Sequence, residues 1–292
     1  MSAEPQAHPF SSRPDIVSCC AVAYESEWAT MLLGDSLHPG GLQLTQRLGE
    51  LLNLNHESRV LDVTAGRGTS AIYLAQTFGC HVTGIDASSA NTVAAIARAT
   101  EANLTDRTSF SCATAGRLPF RPSTFDAIIC ECAFCTFPDK SEAALEFARV
   151  LNPDGALALS DIVRRADLPS SLDTLLGWIA CIGGAQSEAN YAGILTEADL
   201  SMRTIEQHDE SLREMAEQVR GRLLTADLMS KLGKIDLSTI DLEQAQQLVR
   251  DAISSITIGA LGYAVLIADK SAGTASVTTV ENTASDRSFT NT

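Results

Sequence analysis

Val60-Leu61-Asp62-Val63-Thr64-Ala65-Gly66-Arg67-Gly68-Thr69-Ser70 reads as a buried strand, a glycine turn and the first turn of a helix. Gly66 and Gly68 allow the backbone to pass close to a ligand, and the free N–H groups of the helix start can face a carboxylate or a phosphate. A GxG turn alone is weak evidence, because many such turns merely pack tightly. The discriminating residue is Asp86, 20 positions beyond Gly66 at the end of the next apolar run. A carboxylate there can take both hydroxyls of a ribose. A dinucleotide fingerprint would place a third glycine near position 71, where this chain has Ala71, and Asp62 occupies the strand before the turn. The pattern therefore points to a nucleoside ligand and away from a nicotinamide dinucleotide.

Working outward, short apolar runs alternate with longer amphipathic stretches, the pattern of a parallel sheet with crossover helices. Candidate strands are Arg59–Val63, His81–Asp86, Thr108–Ala113, Phe125–Cys130 and Ala156–Asp161; candidate helices are Thr69–Phe78, Ser89–Ala102 and Lys140–Leu151, with Asn152-Pro153-Asp154-Gly155 as a turn after the third. Right-handed crossovers make this an α/β, doubly wound, mostly parallel sheet. After Leu168 longer helices are expected at Ser170–Ile182, Ser211–Leu232 and Asp241–Ser255, and strands at Ser201–His208 and Gly262–Ala268. The last two strands complete the same sheet around a helical insertion near the C-terminus. From Ser271 onward the last 22 residues hold ten Ser or Thr and almost no large apolar group, which predicts a disordered tail.

The 292 residues carry 21 Lys plus Arg against 36 Asp plus Glu, a formal net charge of −15. Such a surface repels phosphate backbones and anionic headgroups, so nucleic acid and membranes are not expected partners and a small-molecule ligand is. The N-terminal residues lack a basic-then-apolar export pattern, so the expected location is cytoplasmic and the eight cysteines are expected as reduced thiols.

The thiols are the unusual groups. Cys130-Glu131-Cys132-Ala133-Phe134-Cys135 follows the fourth strand at the carboxyl edge of the sheet, where ligands bind in such folds. Cys181 lies in Trp178-Ile179-Ala180-Cys181-Ile182-Gly183-Gly184-Ala185, and Cys19-Cys20 lie in an N-terminal segment that can fold over a pocket. Free cysteine is among the most buried residue types, and Cys80, Cys112 and Cys130 are read as core. Cys132 and Cys181 sit beside an edge loop and a Gly-Gly turn, which is not simple interior. Cys132 and Cys135 form a single CxxC, but a closed zinc site needs a second such pair and adjacent Cys19-Cys20 supply poor geometry for it; no resident metal is expected. His38, in a Gly/Pro loop, reads as a solvated residue.

Four ordered stretches, VLDVTAGRGTSAIYLA, VTGIDASS, GRLPFRPSTFDAII and ARVLNPDGALALSD, between about Arg59 and Asp161, resemble the class I S-adenosylmethionine-dependent methyltransferase family. The resemblance implies a Rossmann-like sheet of seven strands, the last antiparallel, with S-adenosylmethionine as cofactor. It places Asp62, Gly66 and Gly68 at the methionine end, Asp86 on the ribose, Ala87 beside the adenine, Thr114 and Ala115 at its edge, and Glu131 in the acidic wall beside the sulfonium. Many family members carry an acid where Thr114 stands. The chain then divides into an N-terminal cap segment (1–50), a cofactor-binding core (51–165), substrate-side helices with the last two strands (166–270) and the tail (271–292).

The CC-containing N-terminal segment, the cysteine of CECAF and the Cys-Ile-Gly-Gly-Ala segment are together similar to the arsenite methyltransferase family. There three thiolates bind trivalent arsenic, whose lone pair attacks the sulfonium methyl. The matching residues are Cys132, Cys181 and, as third thiol, Cys20 or Cys19. Members often carry a cysteine shortly before the glycine motif, whereas Leu33 to Gly41 has none here, which leaves open a methylated arsenical bound by two thiols or another soft element such as selenium or tellurium as acceptor. Soft thiolates select a soft thiophilic centre. The resemblance implies a trivalent arsenical carried as a thiol adduct, and a thiol reductant, as partners. The alternatives are methylation of a small organic acceptor such as a quinone or sterol-like ring, with the cysteines only packing, and a noncatalytic thiolate metal- or metalloid-binding protein.

Overall fold

The computed structural model describes residues 37–234 and 241–271. The expectations for the tail beyond Ser271 and for Cys19 and Cys20 lie outside the described residues. The chain runs α1 (Gly41–Leu51), β1 (Arg59–Val63), α2 (Thr69–Phe78), β2 (His81–Asp86), α3 (Ser89–Glu101), β3 (Thr108–Cys112), β4 (Phe125–Glu131), α4 (Lys140–Val150), β5 (Leu151–Arg164), α5 (Leu175–Ile179), α6 (Glu188–Glu197), β6 (Leu200–Gln207), α7 (Asp209–Lys231), α8 (Leu242–Thr257) and β7 (Leu261–Lys270).

The strands form one sheet in the order β3-β2-β1-β4-β5-β7-β6. β1 to β5 pair in parallel, and β7 runs antiparallel to both β5 and β6. The seven strands, the antiparallel last one and the helical insertion between the final two strands match the expectation from sequence. Order reverses between β1 and β4, which opens a crevice at their carboxyl ends.

Both faces of the sheet are covered, so its central strands are apolar on alternate sides rather than amphipathic. Val60 and Ile129 join Leu48, Leu74 and Tyr263 on one face. Leu61, Val63 and Ile128 join Ile85, Phe147 and Tyr191 on the other. Helix starts follow local chemistry: the Ser88 hydroxyl accepts from Asn91 N–H and the Asp139 carboxylate from Glu142 N–H. Helix α2 is flanked by Gly68 and Gly79, with φ of 76° and 70°.

Four sequence expectations change. The helix expected over 170–182 shrinks to a 3-10 turn, Ser170–Leu172, and α5. Gly177 abuts the Leu172 carbonyl, Thr174 caps α5, and Cys181 adopts φ 64°, which ends helical progression. Asn152 to Gly155 do not separate α4 from a later strand. They form an excursion within β5, whose pairing with β4 shifts between Phe125 and Ala127, with Asp154 at φ 66°. Helices α1 and α6, absent from the sequence reading, are present. Cys112 is exposed rather than core, because β3 is the edge strand and Cys112 ends it.

Candidate active site

A cavity of about 410 Å³ lies at the carboxyl edge of β1, β2 and β4, under the segment that leads into α1. Asp62, Gly66, Asp86, Ala87, Thr114, Ala115, Glu131 and Cys132 all line it, as do Leu37, His38 and Thr64. Gly68 does not. It sits behind the turn at φ 76°, where a Cβ would meet the Phe110 ring at 2.9 Å and Ala95 at 3.0 Å. Gly66, at φ 53°, has nothing within 4 Å of the position of a Cβ. One glycine lets helix α2 close onto the sheet, and the other leaves the cavity floor bare.

Asp86 is held by the turn it faces. Its carboxylate accepts from Gly66 N–H at 2.9 Å and from Ser88 N–H at 2.8 Å. Asp62 is buried at 3% exposure, and its Oδ2 has no hydrogen-bond partner among the described residues. Burial pushes its carboxyl well above the usual range, the charges of Glu131 and Asp86 push it further, and the Ala71 N–H opposes them. Glu131 accepts from the Thr45 hydroxyl at 3.0 and 3.3 Å, and His38 Nε2 stands 3.6 Å from it. The floor is thus an acidic cluster with a carboxylate oxygen that has no hydrogen-bond partner among the described residues.

The thiols occupy the β4 side. Cys132 lines the cavity at φ 51°, and its N–H donates to Ser160 O at 2.7 Å. Cys181, 1% exposed, lies behind it at φ 64°, and its thiol donates to Cys132 O at 3.3 Å. Left-handed backbone is uncommon for a residue with a side chain, and strain of this kind concentrates at functional sites. The Gly183-Gly184 turn brings the two loops together, since a Cβ on Gly184 would collide with the Cys135 carbonyl. Cys135 is fully buried, its N–H donates to Asp161 Oδ2 at 2.7 Å, and Lys140 Nζ donates to its carbonyl at 2.7 Å.

Contact with the Cys181 thiol, then burial, holds the Cys132 thiol well above its ordinary value. Burial, then Cys181, does the same for Cys135. Asp161, beneath them and wholly buried, is pushed up to about 7, chiefly by burial. Among the described residues no group of three or more His, Cys, Asp or Glu is arranged to hold a metal ion.

Of the residues singled out from sequence, the structure brings eight of the cofactor and thiol candidates around one cavity, leaves Gly68 and Cys181 just behind its wall, and does not describe Cys20. Sequence reasoning missed Thr45, Asp161 and Thr64, a β-branched residue at φ 64°, and it read His38 as solvated although it is 9% exposed. Thr45 and His38 reach the site only through their approach to Glu131, and Asp161 only through its contact with Cys135; an acidic residue within an apolar run was the one signal for Asp161 in the sequence.

Residues 60–155 match the model of a methyltransferase domain. The chain is 32% identical over 182 residues to methyltransferase GfsG of Streptomyces halstedii, covering 61% of this chain and 66% of that one. It is 30% identical over 161 residues to an arsenite methyltransferase of Halobacterium salinarum, covering 52% and 39%. The chain spans between about half and two-thirds of the length of the first curated relatives it matches, at 66%, 51% and 53%. A putative sarcosine dimethylglycine methyltransferase from Galdieria sulphuraria shares the fold at a TM-score of 0.74 and 19% identity, over 85% of this chain and 98% of that one. Haemonchus contortus phosphoethanolamine N-methyltransferase 2 in complex with S-adenosyl-L-methionine does so at 0.69 and 19%, over 90% and 60%. The residues present fit that cofactor: the orphaned carboxylate oxygen of Asp62 and the acidic floor complement its cationic ammonium and sulfonium, and the bare surface at Gly66 leaves it room. Residues 60–155 are therefore a methyltransferase domain, set in a chain with the seven-stranded methyltransferase fold.

Proposed function

We propose that the protein transfers a methyl group from S-adenosylmethionine to trivalent arsenic held by Cys132 and Cys181. The observation that carries the reading is the pair of left-handed cysteines, at φ 51° and 64°, joined by the 3.3 Å contact from the Cys181 thiol to Cys132 O beside the cofactor cavity. A left-handed backbone costs free energy at a residue with a side chain, and such strain clusters at functional sites.

When bound, S-adenosylmethionine supplies an electrophilic methyl on a cationic sulfur. Asp62 and Glu131 counter its positive charge, and Asp86 receives its ribose hydroxyls. The thiol pair selects a thiophilic acceptor over hard cations and fixes its approach, so rate comes mostly from proximity and orientation rather than from acid or base strength. Thr114 and Ala115 border the adenine. Cys20, outside the described residues, is the third thiol in this reading, and a thiol reductant keeps the set reduced.

A second reading, methylation of a small organic acceptor, is favoured by the apolar wall of Leu37, Phe137 and Pro138. Reduced protein incubated with methyl-labelled S-adenosylmethionine, arsenite and glutathione separates the two. Labelled methylarsenicals, lost in Cys132→Ser and Cys181→Ser, are expected. Cofactor binding with no arsenic turnover would move the assignment to the organic acceptor.

A further inference from the structure

Two buried polar atoms on residues that line the cavity, Asp62 Oδ2 and His38 Nε2, have no hydrogen-bond partner among the described residues. His38 precedes α1 and is 9% exposed. Its Nδ1 lies 3.3 Å from Pro39 O, and a carbonyl can only accept, so the ring proton belongs on Nδ1 and Nε2 presents a lone pair. A buried acceptor of that kind calls for a donor. Glu131 Oε1 stands 3.6 Å from Nε2, too far for a hydrogen bond and close enough for one donor group to reach both.

Thr45 orders the wall beside these acceptors. Its hydroxyl donates to Glu131 at 3.0 and 3.3 Å and lies 3.4 Å from Ser70 Oγ, in the first turn of α2. Thr69 and Ser70 line the cavity at that helix start, where N–H groups without an intrahelical partner can receive an anion. An anion-receiving edge and a group of acceptors therefore stand side by side, as an α-amino acid requires for its carboxylate and its ammonium. S-adenosylmethionine ends in that group. Its sulfonium has no N–H and would leave Nε2 unsatisfied, whereas an ammonium brings three donors.

We propose that His38 is a cofactor-binding residue, whose Nε2 accepts a hydrogen bond from the α-ammonium of S-adenosylmethionine in a subsite shared with Glu131 and Asp62. The inference rests on the cofactor placement proposed above, with the ribose on Asp86, and is independent of arsenic.

Titration calorimetry of the full chain with S-adenosylhomocysteine, which keeps the ammonium and lacks the sulfonium, and with its desamino analogue, in which hydrogen replaces the ammonium, tests the subsite. The parent is expected to bind S-adenosylhomocysteine about ten- to a hundredfold more tightly than the analogue, the range for hydrogen bonds to a charged group. In His38→Leu that preference is expected to shrink about tenfold. The analogue's affinity stays within about twofold of the parent's and reports an intact fold. His38→Gln, whose amide oxygen can accept, is expected to recover part of the preference. In the unmodified protein, one Nε2 resonance among the five histidine rings is expected to move in nitrogen-15 spectra with S-adenosylhomocysteine and to stay with the analogue. An unchanged preference in His38→Leu, equal weakening of both ligands, or the lack of any ring that responds to the ammonium overturns the proposal. Asp86→Asn tests the placement beneath it: weakening of both ligands alike supports that placement, and no effect on either overturns it and the subsite together.

Discussion

Replacing Cys132 by glycine separates a thiol kept for chemistry from one kept for packing. Cys132 is half-buried at φ 51°, a region that costs a residue with a Cβ about 1–2 kcal/mol and glycine almost nothing. Against that gain stand the extra unfolded-state entropy of glycine, about 0.4–1 kcal/mol, and the loss of roughly one partly buried methylene equivalent, below about 0.8 kcal/mol. The terms nearly cancel, so Cys132→Gly is expected to leave stability within about 1 kcal/mol of the parent. For a chain of this size that is a shift of about 2–4 °C in Tm. Cys130→Gly supplies the contrast. Cys130 is fully buried in β4, has no left-handed backbone to relieve and packs against the interior, so it should lose about 2 kcal/mol or more. Urea or thermal melts of both variants, with arsenic methylation measured on the same samples, give the answer. Cys132→Gly should fold like the parent and lose turnover. A loss of stability as large as that of Cys130→Gly would show that the thiol serves packing and that the strain argument fails.

Asp62→Asn removes the carboxyl whose Oδ2 is unpartnered among the described residues, so S-adenosylmethionine affinity measured by titration calorimetry should fall by about ten- to a hundredfold, equivalent to roughly 1.5–3 kcal/mol for a contact to a charged group, while the free protein melts no lower than the parent. Asp161 lies at about 7 in the folded chain against 3.8 as its ordinary value, so the unfolded chain binds fewer protons between these limits and stability falls as pH rises through that window, by at most about 1.4 kcal/mol per pH unit for one site; denaturant melts of Asp161→Asn should lose that part of the slope. Gly68→Ala places a Cβ 2.9 Å from Phe110 in a left-handed turn and should cost about 2–4 kcal/mol in melts, whereas Gly84→Ala, also against Phe110 but without positive φ, should cost about 1–3 kcal/mol from overpacking alone.

Local signals made the sheet readable. Each of β1, β2 and β4 is a short apolar run bounded by turn residues, and Gly66, Gly68 and Asp86 sit where strand, turn and helix dictate, so the glycine turn and the carboxylate that faces it at the cavity follow from spacing. What sequence concealed depends on contacts between distant segments. Helix α1 carries Leu44 and Leu48 at core spacing, but no N-cap side chain marks its start, because Gly40 at φ 79° opens it. Its Thr45 reaches Glu131 across 86 positions. The short α5 replaced a longer expected helix because Gly177, Gly183 and Gly184 trade helical continuity for close approach to Leu172, Trp178 and Cys135. Cys112 looked interior by residue type, and only the order of strands reveals that β3 is an edge. Positive φ at Cys132 and Cys181 leaves no mark on composition or periodicity, although it is the feature on which the acceptor assignment turns.

X-ray absorption at the arsenic edge, on reduced protein loaded with one equivalent of arsenite, tests that assignment most directly by comparing the parent with the Cys132→Ser, Cys181→Ser double variant. The account predicts arsenic bound through sulfur in the parent, with sulfur neighbours lost in the double variant. An identical sulfur shell in both proteins would contradict it and place the arsenic on other thiols of the chain.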